Sequence, residues 1–317
     1  WRLSRGLLPH TMRVMARFAF FLASWAMVAL PGAEPEVEQA AAAAEPPREG
    51  RSESGRAPEP TAEYLWLPAT RERDGEARVG QGELRLRLGA PPWWRSGDGR
   101  YGSVLGAGYA RIDPQQTDAD LPDALQSIYL NSVTWLRFND HWSTSLVITP
   151  GVRTADSSLT WKDTRLFAGA FATWKYDPQI EIGFGAISTS NHRRTVVIPT
   201  ASVVLRPSHE LAIWFQGIAA QVRWSASPRW TFGGSYSLLS SLDFQLPEDD
   251  PDGEIILMRD VRVLGNVQWH ATRHVALGAL AGMAFNRRWE WQGDGPTRDD
   301  LRLAPTPVLG LNLFLTF

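Results

Sequence analysis

A nucleophile, a base and an orienting polar group within hydrogen-bond reach make a hydrolytic site. This chain of 317 residues holds six His. The cluster Ser190-Asn191-His192 gathers the right residue types, but it stands beside Arg193 and Arg194 in a stretch that reads as a solvated loop. His270 and His274 flank one turn with no third donor in view, short of the donor set that a metal needs. The run "DDPDGE", Asp249 to Glu254, clusters carboxylates around a Gly without the spacing of a calcium loop, and an exposed acidic loop accounts for it. Cys is absent, which removes disulfides, thiol catalysis and Cys-type zinc sites. A formal net charge of -2 gives no basic field for nucleic acid. These patterns assign no catalytic residue, no metal site and no cofactor.

The elements that would position a site fall into three parts. In "MRVMARFAFFLASWAMVALPGA", Arg13 and Arg17 precede an apolar core from Phe18 to Leu30, followed by small residues. This is the pattern of a secretory signal peptide, and residues 1–33 are assigned to it. Residues 34–78 are rich in Ala, Pro, Glu, Ser and Gly with no apolar period, so they predict a disordered linker. Within it, Tyr64 to Leu67 resemble a short docking element. Residues 79–317 carry strand signal throughout.

The clearest strand is "WSTSLVITPGVR". Trp142, Thr144, Leu146, Ile148, Pro150 and Val152 form one face; Ser143, Ser145, Val147, Thr149, Gly151 and Arg153 form the other. Similar runs predict strands at 101–112, 126–138, 142–153, 164–176, 179–188, 196–206, 210–216, 218–225, 229–240, 257–270, 273–287 and 306–317. That is about 12 strands, with a range of 10–14 because the run at 82–90 is a further candidate. Most approach the ~9–11 residues that a tilted strand needs to cross a bilayer. Short turns alternate with long polar loops, except at the tight link around Gly217. The chain has 15 Trp against 6 Tyr. Trp142, Trp174, Trp224, Trp230 and Trp269 lie beside the short turns, as an aromatic girdle would, and Trp161, Trp289 and Trp291 near the long loops suggest a second girdle. With the Trp and Leu faces toward lipid, the lumen would be lined by Arg153, Arg165, Lys175, Glu181, Glu210, Gln221, Arg223, Asp260, Arg262 and Gln268. Charges of both signs there would fill a narrow interior or line a pore.

The ending "GLNLFLTF" resembles that of bacterial outer-membrane barrel proteins, which commonly finish on a strand with alternating apolar residues and a final Phe that their assembly machinery recognises. Leu309, Leu311, Leu313, Leu315 and Phe317 carry the likeness. The stretch "VVIPTASVVLRPSHELAIWFQGIAAQVRWSASPRWTFGGSYSL" is similar to an uncharacterised outer-membrane barrel domain family of unknown function, over about residue 107 to the C-terminus. Its motifs are turn patterns, so the resemblance implies a barrel and no activity. The long Ala/Pro/Glu leader departs from it.

The fold expected is all-β: a closed antiparallel transmembrane barrel over 79–317. The function expected is that of an integral outer-membrane protein, structural or a narrow passive channel for small solutes, and not an enzyme. Its expected partners are outer-membrane lipid and the barrel-assembly machinery, with no nucleic acid. The alternatives are a secreted soluble β-barrel or sandwich that binds a ligand, and an outer-membrane lipid hydrolase. The face of 142–153 that points outward separates membrane from soluble forms.

Overall fold

Every backbone N–H and C=O of a strand needs a partner, and a sheet leaves none exposed at its edges only by closing on itself. The computed structural model describes residues 60–315 other than 74, 90–93, 97, 118–120, 156–162, 191–194, 218, 247–254 and 293–299. The predicted signal peptide, the linker up to residue 59, the acidic run 249–254, Asn191, His192, Trp161, Thr316 and Phe317 lie outside the described residues. In chain order the strands are β1 (Thr61–Arg71), β2 (Arg78–Gly89), β3 (Trp94–Arg95), β4 (Tyr101–Thr117), β5 (Leu125–Arg137) and β6 (Trp142–Thr154). Then come β7 (Thr164–Asp177), β8 (Ile180–Ser190), β9 (Thr195–Leu205), β10 (Leu211–Gln216) and β11 (Ala219–Ser227). The last are β12 (Trp230–Gln245), β13 (Ile255–His270), β14 (Val275–Gln292), β15 (Leu301–Arg302) and β16 (Thr306–Leu315). Apart from the two-residue β3 and β15, all belong to one antiparallel barrel of fourteen wall strands. Sequence neighbours pair around the wall, β14 pairs β16, and β16 closes on β1 from Thr61↔Phe314 to Trp66↔Leu309.

The predicted period of β6 is the period of its exposure. Leu146 and Ile148 are 45% and 40% exposed, while Val147 and Arg153 are 2% and 3% exposed. The apolar face therefore points out of the barrel and the mixed face into it. The same inversion holds at the other end of the chain, where Leu311 is 67% exposed beside Asn312 at 7%.

Two expectations are corrected. The wall has fourteen strands, the upper end of the expected 10–14 and two more than the twelve runs, because 78–89 and 61–71 both join it. Residues 61–71, placed in the linker, are β1, and Tyr64 to Leu67 are wall residues rather than a docking element. A bulge between Leu67 and Thr70 interrupts the period of β1, so its alternation is too short to read. The second correction concerns Trp289, expected in a girdle. It is buried, packed with Phe244, Ile256, Leu301 and Leu303 in an apolar cluster inside the barrel. The cause is local. Asn286 has φ 48, and the β13–β14 register slips between Arg259↔Arg288 and Val261↔Phe285. One extra residue reverses the alternation, so Arg287 and Trp289 turn inward.

The wall is uneven. β10 and β11 have 6 and 9 residues, whereas β12, β13 and β14 have 16, 16 and 18. The β10–β11 link turns at Gly217, whose φ of 53 suits glycine. Beyond this low stretch β12 bends across to β6 and pairs with it in parallel at Gln245↔Thr154. The long-loop half of the barrel is thereby pinched into a narrower enclosure, and the apolar cluster around Trp289 fills it.

If Asn286 sets this register, Asn286→Gly should leave stability within about 0.5 kcal/mol, and Asn286→Val should cost about 1–2 kcal/mol for the left-handed backbone. Deleting Asn286 should cost far more, because it turns Arg287 toward the outside. Urea unfolding followed by Trp fluorescence measures all three. Equal effects of deletion and Asn286→Gly would contradict the assignment.

Candidate functional site

Inward positions of the long-loop half carry a connected set of charges. Glu83 on β2 is fully buried and accepts from Arg262 Nη1 at 2.9 Å and from Arg85 Nη2 at 2.8 Å. Arg262 stands on β13, with β14, β16 and β1 between it and β2, so this contact spans the interior. Arg262 Nε also donates to Asp260 at 2.8 Å, and Arg85 reaches Glu63 at 3.7 Å. Arg287, turned inward by the bulge, donates to Thr70 Oγ1 at 2.9 Å and Gln81 Oε1 at 3.0 Å. Three carboxylates face three guanidiniums here, and a planar guanidinium suits such forked contacts. A cavity of about 10 Å³ lies among Gln81, Asp260, Arg262, Arg287 and Trp289. It has room for roughly one water.

A second set holds the pinch. Arg153 on β6 and Arg165 on β7 both donate to Asp243 on β12, at 3.1 and 2.9 Å. Arg153 is one residue and Asp243 two residues from the Gln245↔Thr154 pairing on the same strands. A third set lies toward the short turns, where Arg206 meets Glu181 at 3.2 Å and Lys175 is directly opposite Glu181 in register. Arg223 lies over the Trp214 ring at 5.8 Å, close enough for a cation–π contact.

Of the residues expected to line the lumen, Arg153 and Arg165 meet on one carboxylate, and Asp260 and Arg262 meet in the larger network. Lys175, Glu181, Gln221, Arg223 and Gln268 are half-buried on their strands. Glu210 is not with them. It is exposed in the turn before β10, where the Ser208 hydroxyl donates to it at 2.7 Å and holds its carboxyl below the usual range. The expectation missed Glu83, Asp243 and Arg287, which anchor the networks. Glu83 was visible in the alternation of "GELRLRLG", whereas Arg287 is hidden by the bulge.

The five Trp of the expected girdle gather at the short-turn end. Trp142 and Trp174 are opposite in register and stack at 6.2 Å, Trp174 meets Tyr176 at 5.5 Å, and Trp224 meets Phe232 at 5.7 Å. Trp230 and Trp269 are also directly opposite.

His141-Trp142-Ser143 sets a His and a Ser two positions apart, the spacing of a base and a nucleophile on one strand face. His141 lies exposed in a short turn with Nδ1 at 2.9 Å from Lys175 O, and no hydrogen bond joins it to Ser143. Its ring is used to tie the turn to β7. Among the described residues no group of three or more His, Asp or Glu is placed to hold a metal.

Removing one partner of a buried charge pair leaves the other desolvated, at about 3–5 kcal/mol. Asp243→Ala and Glu83→Ala are each expected to cost that much in urea unfolding from detergent micelles. Asp113→Ala, which breaks the exposed Arg111–Asp113 pair at 2.7 Å, should cost at most about 1 kcal/mol. Equal costs at the three sites would contradict a structural role for the interior charges.

A family model described as "Domain of unknown function (DUF6268)" matches residues 99–294. No curated protein matches the chain in sequence. Among solved structures, the NanC porin aligns at 7% identity over 81% of this chain and 100% of its own, with a TM-score of 0.39. The translocator domain of the autotransporter NalP from Neisseria meningitidis aligns at 9% identity over 98% and 100%, TM-score 0.39. The KdgM porin, solved with disordered oligogalacturonate, aligns at 6% identity over 81% and 99%, TM-score 0.35.

Proposed function

The chain belongs to the family of the domain of unknown function DUF6268, and we propose that it is an integral outer-membrane barrel, structural or a narrow passive channel for small solutes, without catalysis. The observation that carries this is the inversion of the wall. Leu146, Ile148, Leu309 and Leu311 are exposed outward, while Arg153, Arg165, Glu83 and Arg262 are buried inside. Such a wall in water would leave a wide apolar band uncovered. In a bilayer the same band is solvated by lipid, and each inward arginine avoids a cost of about 2–4 kcal/mol at the midplane. A soluble ligand-binding barrel would have the opposite polarity.

In this reading residues 1–33 direct export, the barrel-assembly machinery inserts the wall, and Trp142, Trp174, Trp224, Trp230 and Trp269 sit at one headgroup level. Between scaffold and channel, the interior favours a closed or narrow path. Fourteen strands stand between the ~8 that side chains fill and the ~16–18 that leave a channel. The pinch and the apolar cluster around Trp289 reduce the long-loop half further.

Two measurements follow. Carbonate-washed outer membranes should retain the protein; recovery in the soluble periplasmic fraction would contradict a membrane barrel. In planar bilayers the folded wild type should pass little or no steady current, and Asp243→Ala, which loosens the bridge from β12 to β6 and β7, should raise it at least several-fold. A large, steady wild-type current would contradict the closed interior.

A further inference from the structure

One strand of the wall is too short to cross a bilayer. β10 has 6 residues, against the ~9–11 that a tilted strand needs. Its last pair with β11 is Gln216↔Ala219, and the chain turns back at Gly217. Gln216 is five residues above Leu211, which lies opposite Trp224 of the short-turn belt. At ~3.4 Å per residue and a tilt of ~40°, that is about 13 Å along the barrel axis. The apolar band of a membrane barrel is about 25 Å tall, so the rim at Gly217 stands about halfway up it.

Above this rim the wall has a window. β9 has backbone partners on the β10 side from Leu205 to Ala201, and none among the described residues from Thr200 to Thr195. β12 pairs β11 as far as Ser237↔Ala219, and from Ser240 to Phe244 it pairs β13 alone. With β10 and β11 ended, β9 and β12 stand about 14 Å apart at the rim, at ~4.8 Å per strand spacing. The window ends above where Arg165 meets Asp243 and Thr154 pairs Gln245. Ala201 O accepts from Gly217 N at 2.8 Å, so the backbone groups of Ala201 face the β10 side. Those of Pro199, two residues on, face the same way, and its N carries no hydrogen. A Pro at such a position resists the addition of another strand.

Two environments meet at this window. Outside it, Val197, Phe215 and Val222 are exposed apolar wall. Inside and below, Thr200, Ser202, Gln216 and Gln221 are half-buried polar positions. Unpaired backbone at membrane depth is tolerated where it lines a wet interior. An apolar row also leads inward: Val147, Gly169, Ile187 and Ile198 are successive partners across β6, β7, β8 and β9. Val147 and Ile187 are fully covered, whereas Ile198, the last of the row, is half-buried beside the window.

We propose that this window is a lateral port that admits the acyl chain of a bilayer lipid onto Val196 and Ile198 on the inner side of the wall. The port rests on the membrane reading above and sharpens it: with the long-loop half pinched, the path to the interior runs through the side of the barrel and suits acyl-chain amphiphiles. Full-length protein is reconstituted into phosphatidylcholine vesicles that contain a phosphatidylcholine with a diazirine midway along one chain. Insertion is scored by carbonate resistance and heat-modifiable migration, and photoadducts are mapped by peptide mass spectrometry. Outward Val197 and Leu311 should be labelled in every inserted variant. In the wild type Ile198 and Thr200 should be labelled at least tenfold more than Val308, which is buried on β16. Ile198→Arg should reduce labelling of Thr200 at least fivefold, and Ile198→Leu should preserve it. Ile198→Asn supplies the same reading if the Arg variant does not insert.

Inserted wild type labelled only at outward positions overturns the port alone, as does labelling of Thr200 that the polar substitutions leave unchanged. Labelling of Thr200 by a diazirine fatty acid supplied in water, but not by the phospholipid, overturns the bilayer as the source. Failure of the wild type to insert overturns the membrane reading and the port with it.

Discussion

Everything in this protein depends on the closure of its sheet. The six-residue ladder between β1 and β16 removes the last two unpaired edges. In an apolar surrounding no water is available to satisfy backbone groups, so an open edge would cost several kcal/mol per group. Once the ladder is closed, alternation sorts side chains without further choice. Leucines and aromatics go to one side of the wall, and every charge on the other side must find its partner within a confined space.

The interior shows how that confinement is resolved. Arg262 reaches across to Glu83, and Arg153 and Arg165 converge on Asp243, so strands far apart in the wall are tied through the centre. These contacts place opposite charges in register with a deformation of the barrel. Short β10 and β11 lower one side, long β12 leans over it, and the enclosure that results is small enough for a dry cluster around Trp289. Charge pairing and shape are coupled here: an undistorted barrel would separate Asp243 from its two arginines.

Much of this was legible from alternation alone. The exposed face of β6 and the burial of Arg153, Arg165, Asp260 and Arg262 follow from a period of two. What was not legible lies where the period breaks. The bulge in β1 concealed a wall strand inside an apparent linker, and the bulge at Asn286 exchanged the faces of Arg287 and Trp289. A further limit is that alternation assigns a face and not a partner. Glu83 could be placed inside, but its reach to Arg262 depends on strands that meet only in three dimensions. Glu210 shows the converse, since its residue type suited the lumen and its position in a turn did not.

The central claim is that the apolar face of the wall is in contact with lipid and the mixed face is not. The absence of native Cys makes a direct measurement straightforward. Single spin labels introduced by Leu146→Cys, Ile148→Cys and Ser145→Cys in the reconstituted protein can be tested for collision with oxygen, which partitions into lipid, and with a water-soluble nickel chelate. The account predicts high oxygen and low nickel accessibility at 146 and 148, and the loss of that lipid signature at 145. High nickel accessibility at 146 and 148 in the folded, reconstituted protein would contradict it.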